Sequence, residues 1–207
     1  IVFGPSSVLY GSDALGGTIH MKTKELYFKS DSEWHGNILS SYNSSYQGAK
    51  NHLSLSFESQ NYSSITSFSF KEFGDLKMGS YRPHGYDDWG LVYHYIDNDS
   101  VVCNSNPEIQ RGTGYKQYDF FNKLIIKTSN KSRLTSNIQY SKSSNVPRFD
   151  QLNDGDTMCM MDSTGSCESG ENLKFHSYYY GPQERFFSSL KFSLFDRYFD
   201  KTDIILS

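Results

Sequence analysis

A short segment rich in aromatic and basic side chains holds the clearest candidates for binding chemistry. Its candidate residues are Arg82, His84, Tyr86 and Trp89, with Tyr81 beside them. An imidazole or a phenolate can ligate haem iron, and a guanidinium can hold a carboxylate or phosphate by two parallel hydrogen bonds. The alternative is a loop-packing motif, in which Gly85 and Gly90 permit the turns that bring the rings together.

A second guanidinium, Arg148, is a further candidate for binding an anionic group. Acidic residues lie close to both arginines in the sequence: Asp87 and Asp88 follow Arg82, and Asp150 follows Arg148. Ion pairs within each loop are therefore the simpler interpretation. Two further imidazoles are weaker candidates: His94 and His176.

The chain has three cysteines, so at most one internal disulfide is expected. Cys159 and Cys167 lie eight residues apart in a segment rich in Gly, Ser and Asp, while Cys103 stands alone. A metal site is the alternative for the pair, but no CxxC pair and no closely spaced Cys and His residues support it.

Catalytic chemistry has little support in the sequence. Asp87 with Asp88, and Glu168 with Glu171, are acidic pairs without a partner at a defined spacing. The nucleophile, metalloprotease and phosphate-binding motifs of common enzymes are absent from the sequence. We therefore expect a protein that is not an enzyme and uses no cofactor or metal.

Composition narrows the class of protein. Of 207 residues, 36% are hydrophobic and 16% aromatic, and the net charge is −3. No stretch approaches the ~18 apolar residues of a membrane helix, and so many aromatic residues argue against disorder. The small negative charge gives no reason to expect a nucleic acid partner.

Strict alternation of apolar and polar residues predicts strands with one apolar and one polar face. Leu53, Leu55 and Phe57, for example, alternate with Ser54 and Ser56. We expect strands near 36–45, 51–60, 63–73, 116–128, 133–143 and 186–198, with a further one from about 203. We expect Leu134, Ile138 and Tyr140 on the apolar face with Leu53, Leu55 and Phe57. We expect Thr135, Asn137 and Gln139 on the polar face with Ser54 and Ser56.

Long and short connections alternate along the chain. Tight turns are predicted near 60–62, 129–132 and 200–202, and long excursions near 74–115 and 145–185. This alternation is typical of a meander with its long loops at one end, as in outer-membrane barrels. A β-sandwich is the alternative, although it rarely inserts two such loops on one side. Aromatic residues near strand ends would suit interfacial girdles: Tyr42, Tyr46, Tyr62, Tyr140, Tyr198 and Phe199.

Residues 4–24 carry an ordered glycine-rich motif that ends in a short strand. Its key positions are Gly4, Pro5, Leu9, Tyr10, Gly11, Gly16 and Gly17. The segment closely resembles the end of the plug domain of TonB-dependent outer-membrane receptors. His20 and Met21 depart mildly from the residues common there. Segments 82–90, 137–150 and 179–185 resemble haem- and siderophore-type members less sharply.

The resemblance implies an all-β fold with three parts. Residues 1–24 would be the end of the plug, residues 25–34 a polar connector, and residues 35–207 the first six or seven strands of a 22-strand barrel. Six or seven strands should form an open arc with an unpaired edge near 204–207. Most of the plug, the TonB box and the remaining strands would lie outside this chain.

The implied function is energy-coupled uptake of a scarce ligand, such as haem, a siderophore or another metal chelate. The location would be the outer membrane of a Gram-negative bacterium, with lipid and the TonB complex as partners. Arg82, His84, Tyr86, Trp89 and Arg148 would be ligand-binding loop residues. Cys159 and Cys167 would be disulfide-bonded, because cell-surface thiols tend to be oxidised. The alternatives are a passive or adhesive surface barrel without energy coupling and a secreted β-sandwich binding module.

Overall fold

The computed structural model describes residues 22–97, 100–148, 177–195 and 200–206, together with the backbone of 2–3 and 17–18. This part of the chain is all-β and contains no helix. Within it, no helical segment has the length and apolarity that crossing a membrane requires. The predicted all-β class is therefore confirmed.

The strands vary from two to fifteen residues in length. In chain order they are β1 (Val2–Phe3), β2 (Gly17–Thr18), β3 (Glu33–Asn43), β4 (Gly48–Glu58), β5 (Tyr62–Phe73), β6 (Leu76–Lys77), β7 (His94–Asp97), β8 (Ser100–Cys103), β9 (Ile109–Gln110), β10 (Tyr115–Ser129), β11 (Ser132–Ser143), β12 (Val146–Pro147), β13 (Tyr179–Tyr180), β14 (Glu184–Leu194) and β15 (Thr202–Leu206).

Seven of these strands form one antiparallel sheet in the order β15-β14-β11-β10-β5-β4-β3. Each predicted strand corresponds to one of them, with its ends displaced by up to four residues in the part of the chain that the structure describes. The first two begin three residues earlier than predicted, so that β3 already starts at Glu33. The connector predicted at residues 25–34 therefore ends two residues earlier, at residue 32. The sheet is open, with β15 and β3 as its two edges.

Both long connections leave the main sheet and return to it at the same end, as predicted. Residues 74–114 join β5 to β10, and residues 144–183 join β11 to β14. At the opposite end, 59–61 and 130–131 are tight turns. Within the long connections, the short strands pair as β6 with β9, β7 with β8 and β12 with β13.

The register separates the side chains of the main sheet into two faces, because residues directly opposite each other in an antiparallel ladder share a face. One row across the sheet is apolar: Ile38, Leu53, Phe68, Phe120, Tyr140 and Phe186. A row on the other side is mainly polar: His35, Ser56, Ile65, Lys123, Asn137 and Ser189. We call these sides the apolar face and the polar face, and every residue predicted for either side lies on the predicted one.

The connector before β3 packs against the polar face. Leu26 is only 6% exposed and forms a small core with Ile65 of β5 and Ile125 of β10. Two further contacts fix its path: the Ser63 hydroxyl donates to the Tyr27 carbonyl at 2.6 Å, and the Lys29 amide donates to the Ser59 carbonyl at 3.1 Å. The segment predicted to be a polar linker is therefore anchored to the sheet by an apolar residue.

Candidate functional site: the two sheet faces and the loops at one end

The apolar face is exposed across the whole main sheet. Ile38 is 80% exposed, Leu53 52% and Phe186 66%, although all three are large apolar side chains. Further exposed members are Trp34, Tyr42, Leu55, Phe68, Tyr118, Phe120, Leu190, Leu194, Ile204 and Leu206. Proteins dissolved in water as monomers rarely expose contiguous apolar patches beyond a few hundred Å². This face therefore suits an apolar environment better than water.

Aromatic rings cluster at both ends of the apolar face. Near the tight turns, Phe57 lies between Trp34 and Tyr62, with ring centroids 4.6 and 5.0 Å away. Near the long loops, Tyr118 lies between Phe70 and Phe68, at 5.0 and 6.4 Å. The apolar face therefore has an aromatic cluster toward each end.

Charged side chains bound the apolar face at the long-loop end. Lys116 pairs with Glu72 at 2.9 Å, and Lys142 pairs with Glu184 at 3.4 Å. The Tyr140 hydroxyl also donates to Glu184 at 2.6 Å. The exposed apolar surface therefore ends at a row of ion pairs.

The predicted girdle residues divide into three groups. Tyr42, Tyr62 and Tyr140 lie on the apolar face. Tyr46 lies in the turn after β3, and its ring contacts Phe73 on the polar side at 5.5 Å. A role of these residues in interfacial girdles stays a prediction. Tyr198 and Phe199 lie outside the described residues.

The polar face carries a hydrogen-bonded network around one carboxylate. Asp119 accepts from Lys71 at 2.8 Å, from Gln117 at 2.8 Å and from the Ser141 hydroxyl at 2.5 Å. Beside it, the His52 ring hydrogen-bonds to the Ser69 hydroxyl at 2.8 Å. Such a surface is suited to contact with water or polar ligands.

The candidate loop residues around His84 contact one another. The His84 Nδ1 accepts a hydrogen bond from the Tyr86 amide at 3.1 Å, so a neutral ring carries its proton on Nε2. The His84 ring lies 5.7 Å from Tyr86 and 5.5 Å from Trp89. Gly85 and Gly90 have φ of +82° and +75°, the left-handed conformation that glycine favours. These contacts fit the loop-packing alternative, and ligand binding here stays a prediction.

The two candidate arginines engage different partners. Arg82 donates to the Ser80 carbonyl at 3.5 Å, and it forms no ion pair with Asp87 or Asp88 within the described part of the chain. Asp88 instead accepts from the Tyr93 hydroxyl at 3.0 Å, a hydrogen bond that raises the pKa of that phenol.

Arg148 lies in the other long loop and interacts with two tyrosines. Its Nη1 donates to the Tyr180 hydroxyl at 2.6 Å, and its guanidinium lies 5.1 Å from the Tyr180 ring and 5.9 Å from the Tyr178 ring. Asp150, the acidic partner considered for it, lies outside the described residues. A role of either arginine in ligand binding stays a prediction.

Cys103 is disulfide-bonded, in contrast to the expectation that it stands alone. The other two cysteines, Cys159 and Cys167, lie outside the described residues. The predicted Cys159–Cys167 bond therefore stays a prediction.

One cluster that the sequence did not reveal lies at the tight-turn end of the polar face. Glu33, His35 and Glu58 place ligand atoms within 4.8 Å of one another, since β3 and β4 put Glu33 opposite Glu58. The Lys29 ammonium contacts both carboxylates, at 2.6 and 3.2 Å. Hydrogen bonds to Glu33 and then Glu58 raise the pKa of Lys29. The ammonium thus supplies the positive charge that these carboxylates attract.

The glycine-rich motif lies almost entirely outside the described residues. Of its key positions only Gly17 is described, in the short pairing of Val2 with Thr18 and Phe3 with Gly17. The assignment of this segment to the end of a plug domain therefore stays a prediction.

The described chain is thus an all-β protein built on an open seven-stranded antiparallel meander. Comparisons with protein-family models, with curated proteins and with solved structures found no match. The fold class is therefore defined by the strands and their pairing alone.

Proposed function

We propose that this chain is part of a TonB-dependent outer-membrane receptor that takes up a scarce ligand such as haem, a siderophore or another metal chelate. The observation that carries the proposal is the exposed apolar face of the seven-stranded sheet. Transmembrane barrels alternate apolar lipid-facing residues with polar residues toward the lumen, and the two faces follow that pattern.

The dimensions of the apolar face support contact with lipid. Along β10 it extends from Ile126 to Tyr118, with Asn122 midway, which is nine residues and roughly 27 Å of strand. Strand tilt of about 40° reduces this to roughly 20 Å across a membrane, comparable with the ~25 Å apolar band of outer-membrane barrels. The aromatic clusters toward both ends of the apolar face are placed as interfacial girdles would be.

The path of the connector supports a plug on the polar side. Lys24 accepts a hydrogen bond from Lys123 through its carbonyl at 2.9 Å, and Leu26 is buried on the same face. The chain that follows the plug-like motif thus runs over the polar face before it enters β3. A plug inside a barrel requires this arrangement, because it must leave the lumen side and join the wall.

Energy coupling is proposed on the sequence resemblance of residues 4–24. A receptor of this kind binds its ligand at the long loops and the plug, and TonB then draws on inner-membrane energy to rearrange the plug. A passive or adhesive barrel would explain the two faces equally well but gives no role to this motif.

Lipid contact can be tested with the two tryptophans of this chain, which lie in different surroundings. The full-length protein is reconstituted into vesicles of brominated and ordinary phospholipid. We expect Trp34→Phe to remove a lipid-quenched share of the fluorescence, whereas Trp89→Phe in the exposed loop should leave the lipid-quenched share unchanged. Equal behaviour of the two variants would refute lipid contact of the apolar face.

Energy coupling can be tested by uptake in intact cells. Cells that depend on this protein are given radiolabelled iron as haem or as ferric siderophore, with and without TonB. We expect surface binding in both strains and accumulation only with TonB. TonB-independent accumulation would favour the passive barrel.

A further inference from the structure

A cavity of about 410 Å³ opens on the polar face near the tight-turn end. The connector and strands β10, β11 and β14 line it. Its basic residues are Lys22, Lys123, Arg133, Lys191 and Lys201. Among the described residues that line the cavity, the only carboxylate is Glu25. Its volume falls within the range of small-molecule sites, ~300–1,000 Å³.

A carboxylate beside the cavity, Asp203, neutralises part of this positive charge. Asp203 pairs with Lys191 at 2.7 Å and with Lys201 at 2.9 Å, and it also accepts from the Ser193 hydroxyl at 2.6 Å. If Glu25 and Asp203 are both counted against the five cations, a charge of +3 remains around the cavity.

The remaining cations have no carboxylate partner within the described part of the chain. Among the described residues, Lys123 donates to two neutral oxygens, the Thr23 hydroxyl at 3.2 Å and the Lys24 carbonyl at 2.9 Å. Arg133 lies over the Phe195 ring at 4.9 Å, and its guanidinium makes no ion pair with any described residue. Its N–H donors therefore have no charged acceptor among the described residues, while the contact with the ring fixes the position of the guanidinium.

One neutral group of the cavity also lacks a partner. The Asn137 Oδ1 is buried and accepts no hydrogen bond from any described residue, although Asn137 lines the cavity between the basic residues. A buried acceptor without a donor is unfavourable. A ligand that carries a hydroxyl or a protonated oxygen beside its negative charges would satisfy it.

We propose that this cavity binds a small free oxyanion that carries two or more carboxylate or phosphate groups. Several cations around one void fit a multivalent anion better than a single halide, and guanidinium groups bind carboxylates and phosphates with two hydrogen bonds. The inference goes beyond the proposed function, and it does not depend on it because it rests on the polar face alone.

The test is calorimetric titration of the purified full-length protein with citrate and with pyrophosphate at low salt. We expect saturable binding that weakens as salt is added, since the attraction is screened. Arg133→Gln and Lys123→Gln should each weaken binding roughly tenfold or more, as for loss of a charge-assisted hydrogen bond. Glu25→Gln should strengthen binding, because it removes the lining carboxylate.

The matched control is Lys116→Gln, which removes a lysine from the same strand as Lys123 but from the apolar face. This variant should leave binding unchanged. Arg133→Lys keeps the charge, so its affinity should lie between those of the wild type and Arg133→Gln. Thermal unfolding of each variant verifies folding. No saturable binding to the wild-type protein overturns the proposal, as does an equal loss in Lys116→Gln. A third result also overturns the proposal: the wild type binds neither anion, and the Arg133 and Lys123 variants are less thermally stable. The cations would then pair with a carboxylate of the polypeptide.

Discussion

The two faces of the main sheet differ in how their side chains are satisfied. On the polar face, Leu26 is buried against the strands and Asp119 accepts three hydrogen bonds. On the apolar face, Ile38 and Leu53 are more than half exposed. The same alternating pattern thus produces one surface stabilised by the protein and another whose stability depends on what surrounds it.

The largest expected effect would break this comparison. Leu55→Arg places a charge in the middle of the apolar face and should cost roughly 2–4 kcal/mol in a bilayer. Ser54, at the next position, lines a cavity of about 480 Å³ on the polar face. Ser54→Arg should therefore cost far less. Unfolding of the reconstituted full-length protein in urea measures both, and equal costs would remove the assignment of the apolar face to lipid.

Ser56 also lies on the polar face, but it is a poorer control than Ser54. Ser56 is only 4% exposed, so an arginine there would have to displace packed neighbours. We therefore expect Ser56→Arg to be destabilising for a steric reason, independent of lipid.

A second substitution sharpens the comparison within the polar face. Leu26→Ala removes the connector's buried side chain and should cost roughly 2–3 kcal/mol, the usual loss for a leucine in a small core. Leu39→Ala is the control, since Leu39 lies on the same face but is 57% exposed. Its effect should stay within about 0.5 kcal/mol. Denaturant unfolding measures both, and a similar cost for the two would contradict the anchoring role of Leu26.

A smaller effect is expected from the polar network. Asp119→Ala leaves Lys71 and Gln117 without their acceptor and should cost roughly 1–2 kcal/mol. Glu72→Ala breaks the more exposed pair with Lys116 and should change stability less. Urea unfolding measures both. A larger loss of stability for Glu72→Ala than for Asp119→Ala would contradict the idea that partial burial strengthens the Asp119 network.

The smallest expected effect concerns the loop end, beyond both faces. Burial lowers the pKa of His94 from its ordinary value of 6.5, so the folded loop favours the neutral ring. The β7–β8 hairpin should therefore be fully stable above pH 6.5 and should open more readily as pH falls below it. Hydrogen exchange at pH 5 and pH 7.5, corrected for intrinsic rates, measures this. His94→Gln should abolish the difference.

Local patterns in the sequence predicted the strands and their faces well. Alternation alone placed Leu53 and Ser54 on opposite sides, because the side-chain period of a strand is two. Tyr46 does not follow this alternation, because it lies in a turn, where the period of two ends. The lengths of the connections predicted a meander, in which strands that follow one another in the chain are neighbours in the sheet.

Contacts between distant segments were not predictable in this way. Leu26 sits in a segment read as a polar linker, and its burial depends on Ile65 and Ile125, which lie far along the chain. The cation–carboxylate cluster of Lys29, Glu33 and Glu58 depends on the β3–β4 register, which no single segment specifies.

The open edges of the sheet have a consequence for its backbone. Among the described strands, β3, which is exposed along its whole length, has a neighbour on one side only, and so has β15. About half of the backbone N–H and C=O groups of each edge strand therefore have no partner in the described sheet. Water can hydrogen-bond to these groups, but hydrocarbon cannot. In a bilayer each such group would cost several kcal/mol. Immersion of the apolar face in lipid thus requires that both edges first acquire partner strands, so edge pairing must precede or accompany insertion.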